Sequence, residues 1–162
     1  MPQVSTVPPE ALPQIPSALQ VEHRVIHEAL LRATKAPGDI GTAARELAGA
    51  LHDHFVREEE IALPPLGLLA ALARGEFTPE MRAVLPMTEA LRAELPRMLD
   101  EHQAIHAATR RLGEVARKAG NAEVQQLAEV LALHAQSEEE VFYPAALLVG
   151  EVVESRSQAH GS

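Results

Sequence analysis

Histidines and glutamates recur in this chain at a spacing suited to metal coordination. His23 and His27, His54 and Glu58, His102 and His106, and His134 and Glu138 form four pairs, each four residues apart. Helical residues advance about 100° each, so four steps return to about 40° from the start, and both side chains leave one face a turn apart. Each pair is a potential chelate of imidazole and carboxylate donors, which first-row metal ions accept. The chain has no cysteine, which removes thiolate ligation, disulfides and thiol catalysis.

Within each EEE run, Glu59, Glu60, Glu139 and Glu140 turn away from the face that carries the histidine, which singles out Glu58 and Glu138. The extra glutamates are read as solvated or capping charges. His52 stands about 160° round the helix from His54 and His160 falls near the C-terminus, so both are read as surface residues. Phe55, Phe142 and Tyr143 flank the paired residues and suit either plain core packing or the wall of an apolar pocket.

The pairs belong to an internal repeat. EHRVIHEALLRA from Glu22 matches EHQAIHAATRRL from Glu101, and LHDHFVREEEIALPPLGLL from Leu51 matches LALHAQSEEEVFYPAALLV from Leu131, at offsets of 79 and 80 residues. Two blocks recurring in the same order imply two helical hairpins related by an approximate two-fold axis. Burying that many ionisable groups without a cation would cost several kcal/mol each. Six imidazoles and two carboxylates exceed the set that one zinc ion takes, so two metals are expected, with iron ahead of manganese or zinc. The Glu-x-x-His motif of ferritin-like bundles and the HExxH of zinc proteases are both absent.

The elements that must position these residues are helical. Only 2% of residues are aromatic, and Ala, Leu, Glu and Arg dominate, which favours an all-α chain. Residues 1–16 hold five prolines and read as a flexible arm. A first helix is expected from an N-cap at Ser17 to Pro37-Gly38, and a second from Asp39–Thr42 to the Pro64-Pro65 pair. Residues 66–95 read as a long, partly helical crossover, with start signals at Thr78-Pro79-Glu80. A third helix is expected from Pro96 to Gly120-Asn121, and a fourth from Ala122 to Tyr143, interrupted by Pro144. The bundle then covers 17–150, and 151–162 form a frayed polar tail.

At 162 residues and 46% hydrophobic, the chain suits a single domain. A net charge of −9 without basic clusters argues against nucleic acid. No signal-like start and no uninterrupted apolar run long enough for a membrane helix are found, so a soluble, cytoplasmic protein is expected.

The elements EHRVIH, HFVREEEIALPP, EHQAIH and HAQSEEEVFYP, in that order, resemble the hemerythrin-like proteins, or HHE cation-binding domain, over about Ser17 to Gly150. The resemblance implies an up-down-up-down four-helix bundle and a non-haem di-iron site, oxo- or hydroxo-bridged, with both glutamates shared. Carried over by motif, it puts His102, His106 and His134 on one iron and His23 and His54 on the other. Two departures stand out: the last motif is HxxxE rather than a His and Asp five apart, and His27 is additional. Were His27 also to bind, each iron would have three imidazoles, two carboxylates and a bridging oxygen, which leaves no vacant position for O2. The implied function is to bind, sense or react with O2, NO or peroxide, including weak peroxide or NO reduction. Iron handling or storage, or a metal-stabilised interaction module, is the alternative. Nothing in the chain indicates an oligomeric state or a protein partner.

Overall fold

The structure, a computed structural model, describes residues 13–161. Most of the proline-rich arm therefore lies outside the described residues. Among these residues there is no strand, and the order is α1 (Ser17–Thr34), α2 (Gly38–Arg57), α3 (Leu69–Ala73), α4 (Leu85–Lys118), α5 (Ala122–Ser137) and α6 (Tyr143–His160). Helices α1, α2, α4 and α5 make the all-α four-helix bundle, with α1 against α2 and α5, and α4 against α2 and α5. No described helix is long and apolar enough to cross a membrane.

The ends of these helices follow local chemistry. Gly120, at φ 68°, closes α4, with Asn121 N–H donating to the Ala116 carbonyl over 2.9 Å, the left-handed glycine stop of a helix. Asn121 then caps α5 by accepting from Val124 N at 3.1 Å. Ser17 is not a cap. It is the first residue of α1, and the Pro16 carbonyl accepts from Leu19 and Gln20.

The helix expected from Pro96 begins eleven residues earlier, at Leu85, and carries Pro96 inside it. An interior proline costs about 3 kcal/mol. Leu91 and Met98, on either side of it, are both fully buried, and a buried side chain of that size returns about 1.5–3 kcal/mol. Packing therefore outweighs the breaker. The crossover is correspondingly short: a 3₁₀ turn at Pro64–Leu68, α3, and a second 3₁₀ turn at Pro79–Val84.

Pro144 does not end the fourth helix either. It sits at the start of α6, which runs on to His160, so residues 151–160 are helical rather than a frayed tail. Val149 and Val153 anchor this helix, packing with Met81 and Val84 in a small cluster of their own. Gly150 lets α6 approach α4, because a Cβ there would collide with Thr88.

Glu58 and Glu138 each open a π turn. Glu58–Ala62 follows α2 and Glu138–Phe142 follows α5. Each π turn precedes a proline, Pro64 or Pro144, which lacks an N–H and crowds the carbonyl four residues back. Widening the helix by one residue relieves that conflict, as in the bond from Leu63 N–H to the Glu58 carbonyl at 2.9 Å. The first half has a second proline, Pro65, so the helix gives way to a 3₁₀ turn. The second half has Ala145, and the helix continues.

Candidate metal centre

Along each bundle helix and the turn that continues it, a core residue lies on either side of the histidine, and these residues fall into two separate core clusters. Leu19, Ala62, Met98 and Tyr143 belong to the cluster at one end; Ile26, Leu51, Ile105 and Leu131 belong to the other. The layer between them holds His23, His54, His102, His134, Glu58 and Glu138, all buried. A polar layer of this composition inside an apolar bundle requires compensating charge.

The six side chains form two groups that share both carboxylates. His23 and His134 stand with Glu58 and Glu138, and His54 and His102 stand with the same two glutamates. The Nε2 atoms of His23 and His134 are 3.0 Å apart, and those of His54 and His102 are 2.7 Å apart. His54 Nε2 lies 2.9 Å from Glu58 Oε1, and His102 Nε2 lies 3.1 Å from Glu138 Oε2. His134 Nε2 closely contacts Glu138 Oε1. This grouping differs from the division that the family resemblance implied, which put His102, His106 and His134 together and His23 with His54. Imidazoles pair across hairpins, α1 with α5 and α2 with α4.

The histidines are held from outside by a second ring of acids that the sequence did not single out. His54 Nδ1 donates to Glu101 at 2.8 Å, His134 Nδ1 to Glu22 at 2.8 Å, His102 Nδ1 to Glu139 at 2.7 Å and His23 Nδ1 to Glu59 at 3.4 Å. Glu59 and Glu139 are therefore not idle surface charges. One residue after the ligand-type glutamate is about 100° round the helix, which turns the side chain from the bundle centre toward the neighbouring helix. Glu22 and Glu101, one residue before His23 and His102, face the other neighbour for the same reason. The signal was present as an acid flanking each motif. Glu101 is further clamped by Arg57 Nη1 at 2.7 Å and Arg97 Nε at 3.2 Å.

With every Nδ1 turned outward to a carboxylate, every Nε2 points inward, the arrangement that fixes imidazoles as metal ligands. The centre attracts positive charge. Burial disfavours charged imidazoles, but hydrogen bonds and proximity to Glu138 and Glu58 outweigh it, raising His23 and His54 and lifting His102 to about 10. The same balance against Glu138 and Glu22 lifts His134 to about 9. Burial would raise the Glu138 carboxyl, yet hydrogen bonds from His102, His134 and His23 hold it well below its usual range. One buried oxygen, Glu58 Oε2, has no hydrogen-bond partner, its nearest imidazole nitrogen being His23 Nε2 at 3.8 Å. An unsatisfied buried acceptor on Glu58, with two imidazole pairs that share both carboxylates, is a donor set that a pair of cations would use, so the residues fit a metal pair.

Tyr143 completes the layer. It is buried, and its phenol donates a short hydrogen bond to Glu58 Oε1. His102 Nε2 lies 3.0 Å from the phenol oxygen, and His54 Nε2 and Glu138 Oε2 each lie 3.3 Å away. Burial and the two carboxylates push the phenol far above its ordinary pKa, so it stays neutral as a donor. Its place as core packing or pocket wall is thus sharpened to a polar contact with one metal-type group. Phe55 lies by the other group, stacked on His23 at 4.3 Å between ring centres, while Phe142 packs in the apolar cluster beside the layer.

His27 and His106 are not brought into either four-residue group. His27 is exposed beside the cleft between α1 and α2. His106 is half-buried and its Nε2 lies 3.2 Å from Glu139, in a peripheral trio with His102. His52 is exposed, and His160 contacts the Arg156 carbonyl from its Nδ1 at 2.8 Å.

A four-helix bundle whose core holds a carboxylate-linked histidine cluster defines a class of cation-binding helical proteins. Residues 14–146 match the hemerythrin HHE cation binding domain, and the chain belongs to that family. No curated protein and no solved structure matches it.

Proposed function

We propose that this chain is a non-haem di-iron protein of the hemerythrin-like type, which binds, senses or reacts with O2, NO or peroxide. The observation that carries the reading is the pair of His/His groups sharing Glu58 and Glu138, each imidazole oriented by an outer carboxylate. His23 and His134 would hold one iron, His54 and His102 the other, and both glutamates would bridge. Such a pair supplies one-electron and two-electron redox chemistry toward small oxidants.

The chain's own residues leave room for a small ligand. Each group offers two imidazoles and two shared carboxylates, fewer donors than an octahedral ion takes. With His27 outside the layer, the objection that a third imidazole would fill every position loses its support. Tyr143 holds a proton beside His102 and Glu58, positioned to hydrogen-bond an anionic ligand on that side. Leu63, its counterpart in the first half, is buried and apolar. The two halves of the centre thus differ in polarity, and small-ligand binding is proposed on the Tyr143 side. A cytoplasmic location goes with this reading.

Metal analysis joined to optical spectra of the reduced protein, before and after air, tests it. Two irons per chain and near-ultraviolet absorbance from a bridged ferric pair are expected, with Glu138→Ala losing both irons and His54→Ala retaining one. Less than about one iron per chain after reconstitution would defeat the proposal, since each His/His group with the shared carboxylates supplies four donors of its own. Growth of a larger mineral on adding excess iron would favour storage instead.

A further inference from the structure

Helices α1 and α2 do not close over the outer side of His23. A cavity of about 740 Å³ lies between them, within the range of sites that enclose a small organic molecule. Its apolar wall includes Leu30, Leu51, Phe55 and Val56, and Val56 is 44% exposed. His23 and Phe55 form the end toward the metal-type layer.

The polar lining is mostly of basic type. Arg24 and His27 enter from α1 and His52 from α2. None of these three side chains makes a hydrogen bond or ion pair among the described residues. The single carboxylate of the lining, Glu59, is engaged with His23 at 3.4 Å. In a chain of net charge −9, an apolar cleft whose unpaired ionisable groups, Arg24, His27 and His52, are all basic, with the neutral amide of Gln20 beside them, is an exception, and the complementary ligand is an apolar molecule with one anionic end.

We propose that this cleft binds an amphipathic organic carboxylate of the medium-chain fatty-acid class. Its tail packs along Leu51, Phe55 and Val56, and its carboxylate meets Arg24, His27 and His52. Bound there, the ligand abuts the outer face of His23 and Phe55. The site does not depend on which metal fills the centre, so its success or failure is separable from that of the di-iron reading.

The test is calorimetric titration of the full, metal-loaded chain with decanoate, decanol and decyltrimethylammonium, all below their micellar concentrations. Saturable binding of one decanoate per chain is expected, with the cation binding at least about tenfold more weakly. Arg24→Glu combined with His52→Glu lowers decanoate affinity about tenfold and leaves decanol unchanged. Val56→Asp weakens both decanoate and decanol. All these positions are exposed, and unchanged metal content and circular dichroism confirm that the variants fold. Absence of saturable decanoate binding, equal binding of the cation, or indifference to these substitutions overturns the proposal. So does binding that appears only after residues 1–12 are removed, or a dimer that Val56→Asp converts to monomer.

Discussion

Tyr143 and Glu58 come from opposite halves of the internal repeat, yet the phenol of one donates to the carboxylate of the other inside the buried layer. The residue at the matching place in the first half is Leu63, which has no polar atom to offer. Two-fold sequence symmetry therefore ends at the centre of the site. One side has a proton donor, and the other is apolar and covered by Phe55 stacked on His23.

Replacing Tyr143 with Phe removes that donor alone. In metal-free protein it leaves a buried carboxylate short of a partner, at an expected cost of about 1–3 kcal/mol. Cations would satisfy Glu58 instead, so the loss shrinks on loading. Urea unfolding of parent and variant, with and without iron, measures both quantities; equal losses in the two states would contradict the proposed role of Glu58 as a metal-binding carboxylate.

The outer carboxylates orient the imidazoles and add to their basicity. Glu101→Gln and Glu22→Gln keep the shape but weaken that support, and each is expected to lower metal affinity about 10- to 100-fold. Glu101 is also held by Arg57 and Arg97, so Arg57→Ala should lower affinity in the same direction by a smaller factor. Competition with a chelator of known affinity reads the change.

His27→Ala should leave the metal content of the purified protein unchanged, because the side chain is exposed beside a cleft rather than in the buried layer. His106→Ala should also retain both metals, with a modest loss of affinity through Glu139, which holds His102. Loss of one metal in either variant would show that the histidine enters the coordination shell on loading.

The metal-free protein has a pH dependence whose sign follows from the shifted groups. His102 and His134 titrate in the folded chain at about 10 and about 9, above their ordinary value of 6.5. Their stabilisation is therefore complete below pH 6.5 and fades as pH rises toward those values. Glu138 is shifted down from 4.5, so its contribution is present above that pH and lost on further acidification. Metal-free stability should peak between 4.5 and 6.5. Metal competes with the imidazole protons, so the gain in melting temperature on adding iron should be larger at pH 8 than at pH 6. A gain independent of pH would count against imidazole ligation.

Much of this was legible in the chain. The bundle, its hairpin repeat and a set of eight paired residues that contains the buried His23, His54, His102, His134, Glu58 and Glu138 follow from spacing, because helical periodicity maps directly onto a face, but spacing did not separate His27 and His106 from the other six. The outer acids were harder to see, since Glu59 and Glu139 point away from their own helix's inner face and acquire meaning only from a neighbouring helix. Pro96 and Pro144 looked like helix ends because a proline's local cost is visible in sequence, whereas the burial of Leu91, Met98, Val149 and Val153 that outweighs it is not.

Sequence alone determined which residue types lie on which helical faces and that two similar hairpins must bury them together. Tertiary structure decided the partners. It paired His23 with His134 and His54 with His102, left His27 outside and set Tyr143 against Glu58. Spacing along one helix fixes direction around its axis, while distances between side chains on different helices depend on how those helices pack.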